Sequence, residues 1–122
     1  MYFAALIVIF LGGVVRPAFA EYGAIAYDDQ SCGWGRSWNF PDQAGADQRA
    51  LSECATNGSK CKVVAHMGPG ECGAVAAILS CGGYGWSVRP RISEAQLVAL
   101  KQCQKYNPKE DCKVMTSLCS SR

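Results

Sequence analysis

The residues with the most chemical potential are eight cysteines, Cys32, Cys54, Cys61, Cys72, Cys81, Cys103, Cys112 and Cys119, and a single histidine, His66. Clustered thiolates can hold zinc or cycle redox equivalents. The chain nevertheless has no Cys-x-x-Cys and no second imidazole, so neither a zinc site nor a thioredoxin-like pair is expected, and no other cofactor is implied. Nucleophilic catalysis of the Cys-His or Ser-His-Asp kind would have to pass through His66. That residue lies in the apolar run Val63-Val64-Ala65-His66-Met67, where strict alternation puts it on one face with Val64 and makes it a packed or surface histidine. The carboxylates Asp28, Asp29, Asp47, Glu53, Glu71 and Glu94 form no pair that the chain forces together across a glycosidic bond. The expectation is a protein that is not an enzyme.

Binding chemistry is better represented. Trp34, Trp38, Tyr84 and Trp86 lie in glycine-rich stretches flanked by Arg36, Arg89 and Arg91. Aromatics of this kind stack on sugar rings or anchor interfaces. Only 15 residues after Ala20 are Leu, Ile, Val or Phe, so some aromatics must supply core. Trp38 and Trp86 are assigned inside. Trp34 and Tyr84, with Arg36 and Arg89, are the candidate binding residues and together would form a rim. A net charge of +1 for the part after Ala20 argues against nucleic acid as the main partner. Asn57-Gly58-Ser59 matches a glycosylation sequon and is read as a turn.

The elements that position these groups occur twice. Cys32-Gly33, Pro41, Ala46, Ala50-Leu51 and Cys54 recur 49 residues later as Cys81-Gly82, Pro90, Ala95, Ala99-Leu100 and Cys103. Gly23-Ala24-Ile25-Ala26 resembles Gly73-Ala74-Val75-Ala76, and Cys61-Lys62-Val63-Val64 resembles Cys112-Lys113-Val114-Met115. Each unit reads strand, strand, helix, strand. Asp42 is the expected N-cap of the first helix. Ser93 and Gln96 form a capping box for the second, with Ile92 and Leu97 as a hydrophobic staple. Alanines and a cysteine share one face of each helix. Polar loops are expected at residues 55–60 and 104–111. The predicted fold is α+β: two pseudo-symmetric repeats, about 22–70 and 71–119, forming a mainly antiparallel sheet covered on one face by two helices.

Ala4 to Val15 is apolar, and Ala18-Phe19-Ala20 supplies a small-x-small cleavage pattern before Glu21, so residues 1–20 read as a signal peptide and 21–122 as one disulfide-rich domain. Arg16 leaves with the leader, which lowers the net charge to +1. The expected destination is secreted or periplasmic, with no stable membrane insertion after cleavage. An even number of cysteines in an exported chain is a disulfide framework that substitutes for missing aliphatic core. Symmetry favours the local bridges Cys54–Cys61 and Cys103–Cys112. Cys32 and Cys81 then can meet across the axis, leaving Cys72 for Cys119.

The segments Gly23-Ala-Ile-Ala-Tyr27, Trp38-Asn-Phe-Pro41, Leu51-Ser-Glu-Cys54, Cys61-Lys-Val-Val64, Cys72-Gly-Ala-Val-Ala76, Gly85-Trp86 and Cys112-Lys-Val114 with Cys119 resemble domain of unknown function 4189, a family of small exported bacterial proteins. The resemblance covers nearly all of Tyr22 to Cys119. It implies a disulfide-containing repeat fold, brings no catalytic motif, and allows an effector or envelope role.

Three functional classes follow. The first is an exported, non-catalytic domain that binds an unidentified protein, with an inhibitor or immunity protein blocking a toxin or hydrolase as its variant. The second is an envelope-acting hydrolase, disfavoured by the missing acid-base cluster. The third is a purely structural envelope component.

Overall fold

Small residues alternating with larger ones along the first strand of each half decide the layering. The computed structural model describes residues 21–121, and the signal peptide assigned to residues 1–20 lies outside them. The elements run β1 (Tyr22–Tyr27), β2 (Trp34–Phe40), α1 (Gln43–Cys54), β3 (Lys62–Met67), β4 (Cys72–Ala77), β5 (Tyr84–Arg89), α2 (Ile92–Tyr106) and β6 (Lys113–Cys119). Both halves thus follow the expected strand-strand-helix-strand order, and the α+β class holds.

The strands form two antiparallel three-stranded sheets, β2-β1-β3 and β5-β4-β6. On β1, Ala24 and Ala26 face α1, packing on Ala46, Ala50 and Cys54. Ile25 and Tyr27 face the other way and meet Val75, Ala77 and Leu118 of the second sheet. Ala74 and Ala76 of β4 receive Ala95, Ala99 and Cys103 of α2. The result is four layers, helix, sheet, sheet, helix. Each helix therefore covers its own sheet, and the single sheet with both helices on one face gives way to two, because the inner apolar side chains of β1 and β4, led by Ile25, Tyr27 and Val75, need a second apolar layer. Helices approach closely because β2 and β5 carry Gly35 and Gly85 beneath them; a Cβ at either would collide with helix backbone, at Ala50 and Cys54 or at Ala99 and Cys103.

Equivalent details recur in the two halves. The buried Ser37 hydroxyl donates to the Ala46 carbonyl at 2.6 Å, and Ser87 donates likewise to Ala95. Register shifts fall at Val64 in β3 and Met115 in β6. Such a bulge reverses the alternation behind it. Val64 consequently packs inward between the sheets while His66 turns out toward α1, so the expected shared face is corrected.

The helix starts differ. Asp42 caps α1, its Oδ1 accepting from the Gly45 N–H at 2.7 Å. The capping box of α2 does not form: Arg91 occupies the N-cap position without a side-chain cap. Ser93 already lies inside the first turn, and Gln96 Nε2 reaches the Ser117 hydroxyl at 2.8 Å instead. Ile92 and Leu97 are 40% and 51% exposed, so no staple is buried. At its other end α2 runs to Tyr106, two residues beyond Gln104, where Asn107 Nδ2 caps the Cys103 carbonyl at 2.9 Å.

Four disulfides join Cys54 to Cys61, Cys103 to Cys112, Cys32 to Cys81 and Cys72 to Cys119. Two tie a helix end to the following strand. Cys32–Cys81 links the equivalent turns of the two halves, where both cysteines take left-handed backbone, φ 63° and 77°. Among the described residues no helix is long and apolar enough to cross a membrane.

Candidate functional site

Trp34, Arg36 and Trp38 alternate along β2 and so share one face. The Arg36 guanidinium lies 5.6 Å from the Trp34 ring centroid and 5.9 Å from that of Trp38, within cation–π range of both. Its Nη1 donates to the Ser117 carbonyl on β6 at 3.0 Å. Three contacts therefore fix one long side chain. β2 is an edge strand, and beside it runs a groove of about 630 Å³ completed from α1 and its C-terminal turn by Arg49, Glu53, Thr56 and Asn57. Arg49 and Glu53 pair at 2.7 Å and largely neutralise each other. The Asn57 N–H returns to the Cys54 carbonyl at 2.9 Å, the turn expected at the sequon.

A second groove, about 390 Å³, lies at the equivalent place between β5 and α2, lined by Tyr84, Trp86, Arg89, Val98, Gln102 and Tyr106. The four candidate residues thus divide into two sites, Trp34 with Arg36 and Tyr84 with Arg89. They do not form one rim. Arg91 lines neither groove.

The assignment of the aromatics is reversed. Trp38 and Trp86, expected inside, are 51% and 48% exposed. Trp34 and Tyr84, expected outside, are half-buried against the inter-sheet core, with Tyr84 packed on Tyr27 at 5.0 Å between ring centroids. Ile25, Met67 and Val75 fill the middle of that core, so rings at the strand starts can enter and those farther along cannot. Sequence reasoning also missed Arg49, Glu53, Gln102 and Tyr106, which reach the grooves only through helix packing. The one visible signal was the alternation Trp34, Arg36, Trp38.

Four of the titratable groups are engaged locally. Asp28 is buried and accepts main-chain N–H groups of Lys60 at 2.9 Å and Gln30 at 2.8 Å. These bonds, led by Lys60, hold its carboxyl down to about 2. Tyr27 donates its hydroxyl to the Cys81 carbonyl at 2.9 Å; burial first, then the neighbouring Asp29 charge, pushes it up to about 12. Asp47 Oδ1 lies 3.0 Å from both His66 Nδ1 and Gln43 Nε2. Glu71 accepts from the Gly68 N–H at 2.7 Å. None of these carboxylates faces another across either groove.

Residues 22–119 match the model of the family described as Domain of unknown function (DUF4189). This chain belongs to that family. The matched span of the DUF4189 chain contains all eight disulfide-bonded cysteines and both grooves. Protein Rv1269c of Mycobacterium tuberculosis (strain H37Rv) and Protein Mb1300c of Mycobacterium bovis are each 40% identical to it over 79 residues. The match takes in 65% of this chain and 58% of each relative, so the chain spans little more than half their length. No solved structure matches it significantly.

Proposed function

We propose that this DUF4189 protein is an exported, non-catalytic interaction domain that binds another protein in the groove along β2. The observation that carries the reading is Trp38, 51% exposed and held against Arg36 beside that groove. Tryptophan and arginine are the residues that most often dominate interface energetics. Arg36 is immobilised by Trp34 and Ser117 before any partner arrives, which reduces the side-chain entropy lost on binding. Export is supported by the apolar leader with its small-x-small site and by four disulfides, which persist in oxidising compartments. The non-catalytic reading is supported by the local engagement of Asp28, Asp47, Glu53 and Glu71.

A photo-crosslinker placed at Thr56 on the groove rim, in the producing organism, tests this. The expected product is one crosslinked protein that, once purified, forms a stoichiometric complex with the oxidised domain. A crosslinked protein that fails to bind after purification, or turnover of an envelope polymer abolished by one carboxylate substitution, would overturn the reading.

A further inference from the structure

The two grooves occupy equivalent places but differ in chemistry. At the helix positions that carry the Arg49–Glu53 ion pair in the first groove, α2 carries Val98 and Gln102. The second groove has therefore lost its ion pair and with it the only carboxylate. At the strand end, where Phe40 pairs with Tyr22, Arg89 pairs with Cys72, so a cation replaces an aromatic ring. Beside the lining, the Lys105 ammonium lies 5.6 Å from the Tyr106 ring centroid. Among the lining residues the one formal charge is that of Arg89.

Its apolar contribution is equally particular. Trp86 is 48% and Tyr106 69% exposed, and Val98 is the only aliphatic lining residue. Flat, solvent-facing rings without a deep aliphatic pocket suit the C–H face of a pyranose better than a peptide side chain. The planar Gln102 amide and Arg89 guanidinium can each make paired hydrogen bonds, to vicinal hydroxyls or to an acidic group. The Arg89 Nη1 bond to the Val88 carbonyl, 2.8 Å, orients that fork. The volume of 390 Å³ falls in the range of small-ligand sites, about 300–1,000 Å³.

We infer that the groove between β5 and α2 binds a saccharide carrying acidic groups, carboxylate or sulfate. Trp86 and Tyr106 provide the stacking platform, Gln102 reads hydroxyls, and Arg89 with Lys105 reads the charge. This site is separate from the protein-binding groove on β2.

The experiment is titration of the oxidised full domain with a galacturonate tetrasaccharide, a carrageenan tetrasaccharide, neutral chitotetraose and hexaglutamate, followed by tryptophan fluorescence and amide shifts. One or both acidic saccharides should saturate, with shifts at Gly85, Trp86 and Gln102; the carboxylated and sulfated arms identify the acidic group. Trp86→Ala should weaken that binding at least tenfold. The surface change Arg89→Gln, which leaves the core untouched, should remove the preference for acidic saccharide over chitotetraose. Trp38→Ala, in the other groove, should leave saccharide binding unchanged. The inference is overturned by no saturable acidic saccharide, by equal binding of chitotetraose, by tighter binding of hexaglutamate, or by shifts confined to β2.

Discussion

The guanidinium of Arg36 on β2 donates to the main-chain carbonyl of Ser117 on β6, 3.0 Å away and 81 residues later in the chain. This one bond joins the edge strands of two different sheets. It also orients the cation between Trp34 and Trp38, so a stabilising contact between sheets is at the same time the scaffold of the β2 groove.

Arg36→Ala should therefore destabilise the domain by about 1.5–3 kcal/mol, the range for a hydrogen bond involving a charged group. Arg36→Lys should recover less than half of that, because an ammonium keeps the charge and loses the planar stacking. Urea denaturation of the oxidised variants measures both.

Ser37→Ala and Ser87→Ala each remove a buried hydroxyl that donates to a helix carbonyl, at Ala46 and Ala95. Each should cost about 1 kcal/mol, and the double variant the sum, since the two sites lie in different halves and share no partner. Markedly unequal costs would contradict the equivalence of the two strand-to-helix pins.

The order of elements was readable because the spacing of Ala46, Ala50 and Cys54 recurs in Ala95, Ala99 and Cys103, and helix faces depend on local periodicity. The same periodicity could not show that β1 and β4 each have a second apolar face, which the other sheet covers. It could not show the bulge at Val64 either, because an inserted residue looks like one more member of an apolar run. His66 was misplaced for that reason. Ser93 and Gln96 satisfied a local capping pattern, but Gln96 found its partner in Ser117 of β6, on the sheet that α2 covers. The grooves are tertiary features: Glu53 and Gln102 gain meaning only once Gly35 and Gly85 let helices settle on the edge strands.

Asp28 gives the domain an acid-sensitive element. Its folded carboxyl is lowered to about 2 from 3.8. A depressed folded value means that its contribution is fully present above the unfolded value and is lost as pH falls through the folded one. Stability should therefore decline between about pH 4 and pH 2. Asp28→Asn should flatten that decline, as read by denaturant midpoints across the range. Tyr27 acts at the other end: its folded value, raised to about 12 from 10.0, gives stability that is complete below 10 and lost as pH rises through 12. A phenolate absorbance titration should show one tyrosine ionising last.

Cys32–Cys81 closes a separation of 49 residues, against 7 for Cys54–Cys61. Replacing the first pair with serine should be more destabilising than replacing the second by roughly 1–2 kcal/mol, if unfolded-chain entropy dominates. Reducing all four bridges should unfold the domain, since each typically contributes about 2–5 kcal/mol. Circular dichroism with and without reductant reads the outcome.

The reading of β2 as the protein-binding groove is tested most directly by calorimetric titration of the purified Thr56-crosslinked partner into wild type, Trp38→Ala and Trp86→Ala. Trp38→Ala should weaken binding by about 30-fold or more, the loss of about 2 kcal/mol that marks a central anchor. Trp86→Ala, on the other groove, should leave the affinity unchanged. Unaltered binding by Trp38→Ala, or equal losses in both variants, would contradict the account.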